Sequence, residues 1–278
     1  MSSRKNDSQA LPGERLQKVL AASGLGSRRE IERWISEGRL KINNQIAVLG
    51  DRVTDEDVVL LDDRPLSGKR LTPVQDQIIM YNKPEGELVT RSDPEGRPTV
   101  FRRLPKLDKG RWIAVGRLDI NSAGLLLFTT NGELANRLMH PAQQIEREYA
   151  VRVMGEITPE MVQQLVEGVE LEDGFARFED VVESGGTGIN NWFHVVIMEG
   201  RKREVRRLWE AVGARVNRLK RVRFGPIILD SSIKSGQWRD LNTKESRSLM
   251  ELVDMKSNHP GRKKPAKAAS GKSPYRRK

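Results

Sequence analysis

Apolar residues at helical spacing mark the first structured segment of the chain. Leu16, Val19 and Leu20 recur three and four residues apart and predict a short helix. A second helix is predicted to begin at Ser27, because the Ser-x-x-Glu spacing to Glu30 is that of a capping box. Two short helices are therefore expected before the first hairpin.

Alternating apolar and polar residues follow these helices. The alternation over residues 40–48 continues on both sides of Asn43-Asn44, which predicts a tight hairpin. An apolar run over residues 58–61 predicts a further strand. Together these elements indicate a small domain of two helices and a few short strands.

The rest of the chain mixes strand and helix patterns without regular alternation. Apolar runs predict strands over residues 78–81, 112–115, 125–129, 149–153, 192–198 and 216–224. Helical spacing and capping residues predict helices over residues 133–139, 159–167 and 204–212. Because strands outnumber helices and occur in runs, we predict an α+β domain with a mixed, mostly antiparallel sheet and flanking helices.

Changes in composition divide the chain into five segments. We predict a disordered N-terminus, a small first domain, a linker, a larger second domain and a basic disordered tail, over residues 1–13, 14–66, 67–75, 76–254 and 255–278.

The net charge of the chain indicates the kind of partner that it binds. The chain has a formal net charge of +11. Nine basic residues lie from Lys256 onward, where no acidic residue occurs, so the remainder carries a formal charge of +2. We expect a polyanionic partner, held by salt-sensitive phosphate contacts of the tail and by local patches on the domains.

Several classes of site are excluded by composition. The chain has no cysteine and three widely separated histidines, so we expect no disulfide, thiolate nucleophile or metal site. It has neither a Gly-x-Gly-x-x-Gly motif nor a P-loop, so we expect no nucleotide cofactor. Without a signal core or a membrane-spanning apolar stretch, we expect a cytoplasmic protein with no membrane contact.

Basic residues decorate the first domain. Arg28, Arg29 and Arg33 lie opposite the apolar stripe of the second helix, and Lys41 follows in the hairpin. Such a surface suits backbone phosphates. Charge alone is equally compatible with a solvated helix face that pairs with neighbouring glutamates.

A carboxylate lies between two predicted strands of the second domain. It is Asp119, within Gly116-Arg117-Leu118-Asp119-Ile120-Asn121-Ser122-Ala123-Gly124. A loop between buried strands holds a side chain on a rigid scaffold and leaves it open to substrate. The ordinary role of such an aspartate is a turn or a cap, and the pattern alone leaves both roles open.

Motifs in both domains resemble known families. Residues 14–66, with Ser27-Arg28-Arg29-Glu30 and Glu37-Gly38-Arg39-Leu40-Lys41-Ile42-Asn43, resemble the S4 RNA-binding domain. Four segments of the second domain resemble the pseudouridine synthase family that includes the small-subunit enzyme A type: Lys83-Pro84-Glu85-Gly86, Gly116-Arg117-Leu118-Asp119, Glu148-Tyr149-Ala150-Val151 and Glu199-Gly200-Arg201-Lys202-Arg203-Glu204-Val205-Arg206-Arg207. The resemblance covers residues 14–254 and implies an S4 domain followed by a catalytic domain that isomerises uridine in RNA.

The resemblance also implies roles for individual residues. Asp119 is the implied catalytic carboxylate, which attacks the sugar, adds to the base or removes a sugar proton. Arg206 is implied to pair with this carboxylate, beside the apolar Val205. Tyr149 is implied to lie against a flipped uracil, and Arg117 to support the site. No cofactor is implied, because the isomerisation neither oxidises the base nor imports a group.

Two further segments indicate the target. Arg91-Ser92-Asp93-Pro94-Glu95-Gly96-Arg97-Pro98-Thr99-Val100-Phe101 and Asn131-Gly132-Glu133-Leu134-Ala135-Asn136-Arg137-Leu138-Met139-His140-Pro141 resemble family members that modify large-subunit ribosomal RNA. We therefore expect the target to be a stem-loop of that RNA, or a ribosome assembly intermediate that contains it, because duplex RNA hides its base edges. We also expect the protein to act as a monomer. Two alternatives remain: a noncatalytic S4 protein, and an enzyme acting on small-subunit RNA or a neighbouring large-subunit uridine.

Overall fold

The computed structural model describes residues 13–66 and 76–255. The predicted N-terminus, linker and basic tail lie outside the described residues, apart from Gly13 and Met255 at their borders.

The first domain packs two helices against short strands. Its elements are α1 (Leu16–Ala22), α2 (Arg28–Ser36), β1 (Glu14–Arg15), β2 (Leu40–Ile42), β3 (Gln45–Ile46), β4 (Arg52–Val53), β5 (Val59–Leu61) and β6 (Arg64–Pro65). Four strands pair in the order β3-β2-β5-β6, and β1 pairs with β4. The helices bury Leu16, Leu20, Ile31 and Ile35 in one apolar core, which fixes the outward direction of their polar faces.

The local predictions for this domain are largely confirmed. The Ser27 hydroxyl accepts a hydrogen bond from the backbone N–H of Glu30, and the Glu30 carboxylate accepts one from the backbone N–H of Ser27. Asn43 and Asn44 form the hairpin turn with positive φ angles of 49° and 68°. The second hairpin strand is shorter than predicted: it ends at Ile46, and Val48 is exposed, because that strand lies at the sheet edge.

The second domain contains four α-helices, two short 3₁₀ helices (Val100–Arg102 and Pro141–Gln143) and eleven strands among the described residues. Its helices are α3 (Gly132–Met139), α4 (Pro159–Glu167), α5 (Glu204–Ala211) and α6 (Thr243–Glu251). Its strands are β7 (Ile78–Lys83), β8 (Ile113–Val115), β9 (Ala123–Thr129), β10 (Arg147–Met154), β11 (Val169–Leu171), β12 (Gly174–Ala176), β13 (Asp180–Thr187), β14 (Asn190–Ile197), β15 (Arg215–Phe224), β16 (Ile227–Ile228) and β17 (Trp238–Asp240). The predicted helices and strands of this domain match the observed ends to within two residues.

A nine-stranded sheet organises this domain. Seven strands run in the order β13-β14-β10-β15-β9-β7-β17, while β16 pairs with β15 and β8 with β9. Only the β15–β9 pair is parallel within the sheet that the structure describes. The predicted α+β fold with a mixed, mostly antiparallel sheet is therefore confirmed.

Side chains alternate between two cores on opposite faces of the sheet. On β9, Leu126 and Phe128 enter the first core, which α4 and α5 cover. Leu125 and Leu127 enter the second core, which α3 and α6 cover. This period of two is the ordinary geometry of a strand, and both faces of β9 are buried.

Some elements were absent from the sequence prediction. The helix α6 and the strands β13 and β17 carry many polar residues, so no apolar run marks them. Asn242 caps α6, and Leu249 and Met250 bury it against the second core. Across the described ranges, no helix combines the length and apolar character needed to cross a bilayer.

Candidate active site

One row of residues across the sheet brings the family-like segments together. Tyr149 on β10 pairs with Arg221 on β15. Arg221 pairs with Gly124 on β9, and Gly124 pairs with Lys83 on β7. Strands in a sheet lie about 4.8 Å apart, which places Tyr149 about 10 Å from Gly124. Asp119 precedes Gly124 on the loop that enters this row, so all these residues lie in one region.

Glycine is required where β9 meets β15. Gly124 has a φ angle of +100°, and a Cβ atom at this position would lie 2.2 Å from the backbone oxygen of Arg221. No side chain fits in that space without moving the backbone of β15. The close approach fixes the end of the Asp119 loop against the strand that pairs with Tyr149.

A buried lysine holds the Asp119 loop. The residue Lys83 has no exposed surface, and its Nζ donates hydrogen bonds to the carbonyl oxygens of Pro84 (3.0 Å), Asp119 (3.1 Å) and Ser122 (2.8 Å). Burial lowers the pKa of Lys83 to about 8, although the nearby Glu87 and Asp119 carboxylates oppose the shift. The three hydrogen bonds tie the two ends of the turn to β7.

Lys83 was not among the predicted site residues. The sequence prediction placed it only in a family-like segment. The structure reveals its role, because this lysine ends a strand whose six residues are all buried. A charged residue in such a position needs hydrogen-bond partners inside the protein.

Arg206 approaches the same loop from the other side. Its guanidinium donates to the backbone oxygens of Val216 (2.9 Å) and Asn121 (2.8 Å) from a buried position on α5. Burial lowers the pKa of Arg206, Arg203 adds to this effect, and the Asp119 carboxylate opposes it. Arg206 therefore lies within electrostatic range of Asp119, but no ion pair joins the two side chains in the part of the chain described.

The loop alternates buried and exposed side chains. Leu118 is buried in the first core, while its neighbours Arg117 and Asp119 are exposed. Tyr149 and Val205 belong to the same core as Leu118. Arg117 and Asp119 therefore point outward from the loop, while Leu118 joins the core that also contains Tyr149 and Val205.

The predicted basic residues of the first domain lie on its surface. Arg28, Arg29 and Arg33 are exposed on α2. Arg33 pairs with Glu37, and the Lys41 ammonium pairs with Asp63. Surface pairs of this kind contribute little stability, so phosphates could replace the carboxylates at small cost.

Comparisons with known proteins identify both domains of the chain. A family model described as RNA pseudouridylate synthase matches residues 77–211, and an S4 domain model matches residues 14–59.

The sequence relatives and a solved structure extend the match. The chain is 56% identical over 245 residues to ribosomal large subunit pseudouridine synthase B of Pseudomonas aeruginosa, covering 88% of this chain and 64% of that protein. It is 59% identical over 244 residues to the Vibrio cholerae protein of the same name, covering 87% and 76%. A crystal structure of a pseudouridylate synthase superposes with a TM-score of 0.59 at 26% identity, covering 85% of this chain and 100% of the other. The chain therefore belongs to the RNA pseudouridine synthase family, with an S4 domain ahead of its synthase domain.

Proposed function

We propose that this chain converts a specific uridine of large-subunit (23S) ribosomal RNA to pseudouridine, without a cofactor and with Asp119 as the catalytic carboxylate. One observation carries the catalytic assignment: the Asp119 side chain is exposed, while two buried cations, Lys83 and Arg206, hold the backbone of its loop. A reachable carboxylate on a restrained backbone suits a group that must meet a reacting atom in one geometry. The names of the relatives support ribosomal RNA as substrate.

The proposed reaction is an isomerisation, so its atoms and electrons balance without a further reactant. The bond between ribose C1′ and uracil N1 breaks, the base turns, and a bond forms between C1′ and C5. C5 loses a proton and N1 gains one, so nothing is oxidised and no group is imported. Asp119 acts by attack on the sugar, by addition to the base or by removal of a sugar proton, and each route requires the ionised carboxylate.

The residues around the loop receive the base. Tyr149 offers an aromatic ring beside the Asp119 loop, against which a flipped uracil stacks. Val205 supplies an apolar wall next to Arg206 on α5. Arg206 favours the ionised form of Asp119 through its charge, and the exposed Arg117 contacts the RNA backbone.

The S4 domain holds RNA near the target. Arg28, Arg29, Arg33 and Lys41 contact phosphates of a stem-loop without reading its sequence. A loop or bulge is required, because an A-form duplex presents no accessible uracil ring. The chain acts as a monomer on this RNA or on a ribosome assembly intermediate that contains it.

Substitution of Asp119 tests the catalytic assignment. We expect Asp119→Asn and Asp119→Ala to lower the rate by about 10³-fold or more, because each removes the only carboxylate of the loop. Tritium release from C5-labelled uridine in ribosomal RNA measures the rate. Asp55→Asn, which changes an exposed aspartate of the first domain, is the matched control and should retain activity. Activity that survives both Asp119 substitutions contradicts the assignment.

A further inference from the structure

Half of the nine-stranded sheet leaves one face without a helical cover. On β10, Tyr149, Val151 and Val153 point into the first core. The residues between and after them, Ala150, Arg152 and Met154, therefore point to the opposite face. The second core, which α3 and α6 cover, contains no residue of β10, β13 or β14 within the described ranges. This uncovered face is therefore open to a partner.

Cross-strand neighbours make the uncovered face basic. Arg152 pairs with Arg218 on β15 and with Trp192 on β14, and Ala150 pairs with Lys220. Residues in register share a face, and Arg215 lies in register with Met154 on the same side. We call this surface the outer sheet face; it comprises Arg152, Trp192, Arg215, Arg218 and Lys220.

The basic groups of the outer sheet face are available for a ligand. Arg215, Arg218 and Lys220 are exposed, and none forms a side-chain hydrogen bond or ion pair with the rest of the described chain. Arg152 donates to the Asn217 side chain at 2.8 Å and lies 6.0 Å from the ring of Trp192. Along β15, Arg215 and Lys220 are about 17 Å apart at the usual rise of a strand.

Acidic residues do not neutralise this surface. The two carboxylate oxygens of Glu148 are taken by His194 Nδ1 and Arg223 Nε, each at 2.8 Å. Asp180 is exposed on β13, in the same row as Glu148. Three strand spacings, about 14 Å, separate β13 from β15, so Asp180 is too distant to pair with the cations of β15.

We propose that the outer sheet face binds the phosphate backbone of ribosomal RNA outside the stem-loop that enters the active site. The inference rests on the proposed function and adds a second RNA contact to it. A base against Tyr149 lies on the opposite side of the sheet, so the RNA at the outer sheet face belongs to a different segment. Unpaired cations in a row fit a polyanion, and such contacts position RNA without reading its sequence.

Other occupants fit this surface less well. The chain beyond α6 carries nine basic residues and no acidic one from Lys256 onward, so the cations of β15 repel it. A protein partner normally requires an apolar centre, whereas the apolar side chains of this face, Ala150, Val182 and Trp192, are flanked by the cations of β10 and β15. A polyanion is the remaining partner whose charge complements the surface.

Binding of two RNAs tests this proposal. The variant is the triple substitution Arg215→Gln/Arg218→Gln/Lys220→Gln, made in the full chain. The RNAs are a full-length transcript of the large-subunit RNA and a short stem-loop that carries the converted uridine. We expect the variant to lose about tenfold in affinity for the long RNA and less than twofold for the stem-loop. The salt dependence of long-RNA binding should fall by about two to three in log–log slope, because three phosphate contacts are lost.

A matched control removes the same charge elsewhere. Lys234→Gln/Lys244→Gln/Arg247→Gln changes exposed residues in and before α6 and should leave both affinities within twofold of wild type. Three results overturn the proposal: an unchanged affinity of the β15 variant for the long RNA, an equal loss for both RNAs, or an equal loss in the control. If the proposed function itself is wrong, wild-type protein converts no uridine in either RNA. That failure is seen in the conversion assay and is distinct from a change in RNA affinity.

Discussion

At the scale of single residues, the loop that carries Asp119 is held by Lys83, a side chain that takes no part in the proposed reaction. Lys83 Nζ donates to three carbonyl oxygens of the loop region, and burial keeps its pKa near 8. The neutral amine has only two N–H donors for these three acceptors. The loop is therefore held most firmly when Lys83 is protonated.

The loss of this lysine has measurable consequences. We expect Lys83→Met to lower the single-turnover rate on the order of 100-fold, because the loop carrying Asp119 loses its restraint. In wild type, the rate should fall as pH rises through about 8, the pKa of Lys83, and the variant should lack this fall. A fall of the same size and midpoint in the variant would assign the titration to another group.

Stability should respond to pH in the opposite direction. Burial holds the pKa of folded Lys83 at about 8, below its ordinary value of 10.5, so the unfolded chain binds more protons between these values. The contribution of Lys83 to the unfolding free energy therefore rises from about pH 8 to 10.5 and is least favourable below pH 8. Denaturant unfolding of wild type and Lys83→Met at several pH values measures the difference.

At the scale of elements, a short parallel pairing joins the two halves of the sheet. Only Lys220 with Ala123 and Arg221 with Gly124 are in register between β15 and β9 in the described sheet. On either side of this pairing, strands join by antiparallel ladders. The loop of Asp119 ends at the pairing, so the alignment of the halves sets the distance from Asp119 to Tyr149.

A single methyl group should disrupt this pairing. Gly124→Ala places a Cβ atom 2.2 Å from the Arg221 backbone oxygen at a φ angle of +100°, so we expect a loss on the order of 3 kcal/mol. Gly213→Ala is the control, because Gly213 has a φ angle of +80° but no atom within 4 Å of the added Cβ. Thermal unfolding compares the stability of the two variants. Equal losses of stability would show that the positive φ angle alone, and not the contact with Arg221, destabilises Gly124→Ala.

Element prediction succeeded where local signals were strong. The helix α4 spans residues 159–167 as predicted, because the cap at Thr158 and the positive φ of Gly168 are local properties. Prediction failed for α6, whose polar sequence becomes a helix with a buried face through Leu249 and Met250. The contacts that bury these residues come from strands distant in sequence, so no local pattern contains them.

At the scale of the whole molecule, the chain joins an S4 domain to a synthase domain. The relatives named ribosomal large subunit pseudouridine synthase B match 87–88% of the chain in the two comparisons above. Under the two proposals above, the basic face of α2 and the outer sheet face hold the RNA outside the Asp119 loop, so we expect them to contribute to the choice of uridine.

Mapping of pseudouridines tests the target of the whole protein. In a strain that lacks the gene, we expect one uridine of large-subunit RNA to remain unmodified and the small-subunit sites to be intact. Return of the wild-type gene should restore the site, and the Asp119→Asn gene should not. A site lost from small-subunit RNA, with all large-subunit sites retained, would replace the proposed target by one of the alternatives.

The sequence by itself predicted the two domains and most helices and strands of the second domain, and its motifs pointed to Asp119, Tyr149, Val205 and Arg206 as site residues. Hydrophobic period, caps and family-like motifs are local along the chain, so they can be recognised without a structure. The tertiary structure alone decided that Lys83 holds the Asp119 loop, that Arg206 bonds to backbone carbonyls, and that one sheet face stays uncovered in the described residues. These features depend on which strands become neighbours, and that choice is made by burial between residues far apart in sequence.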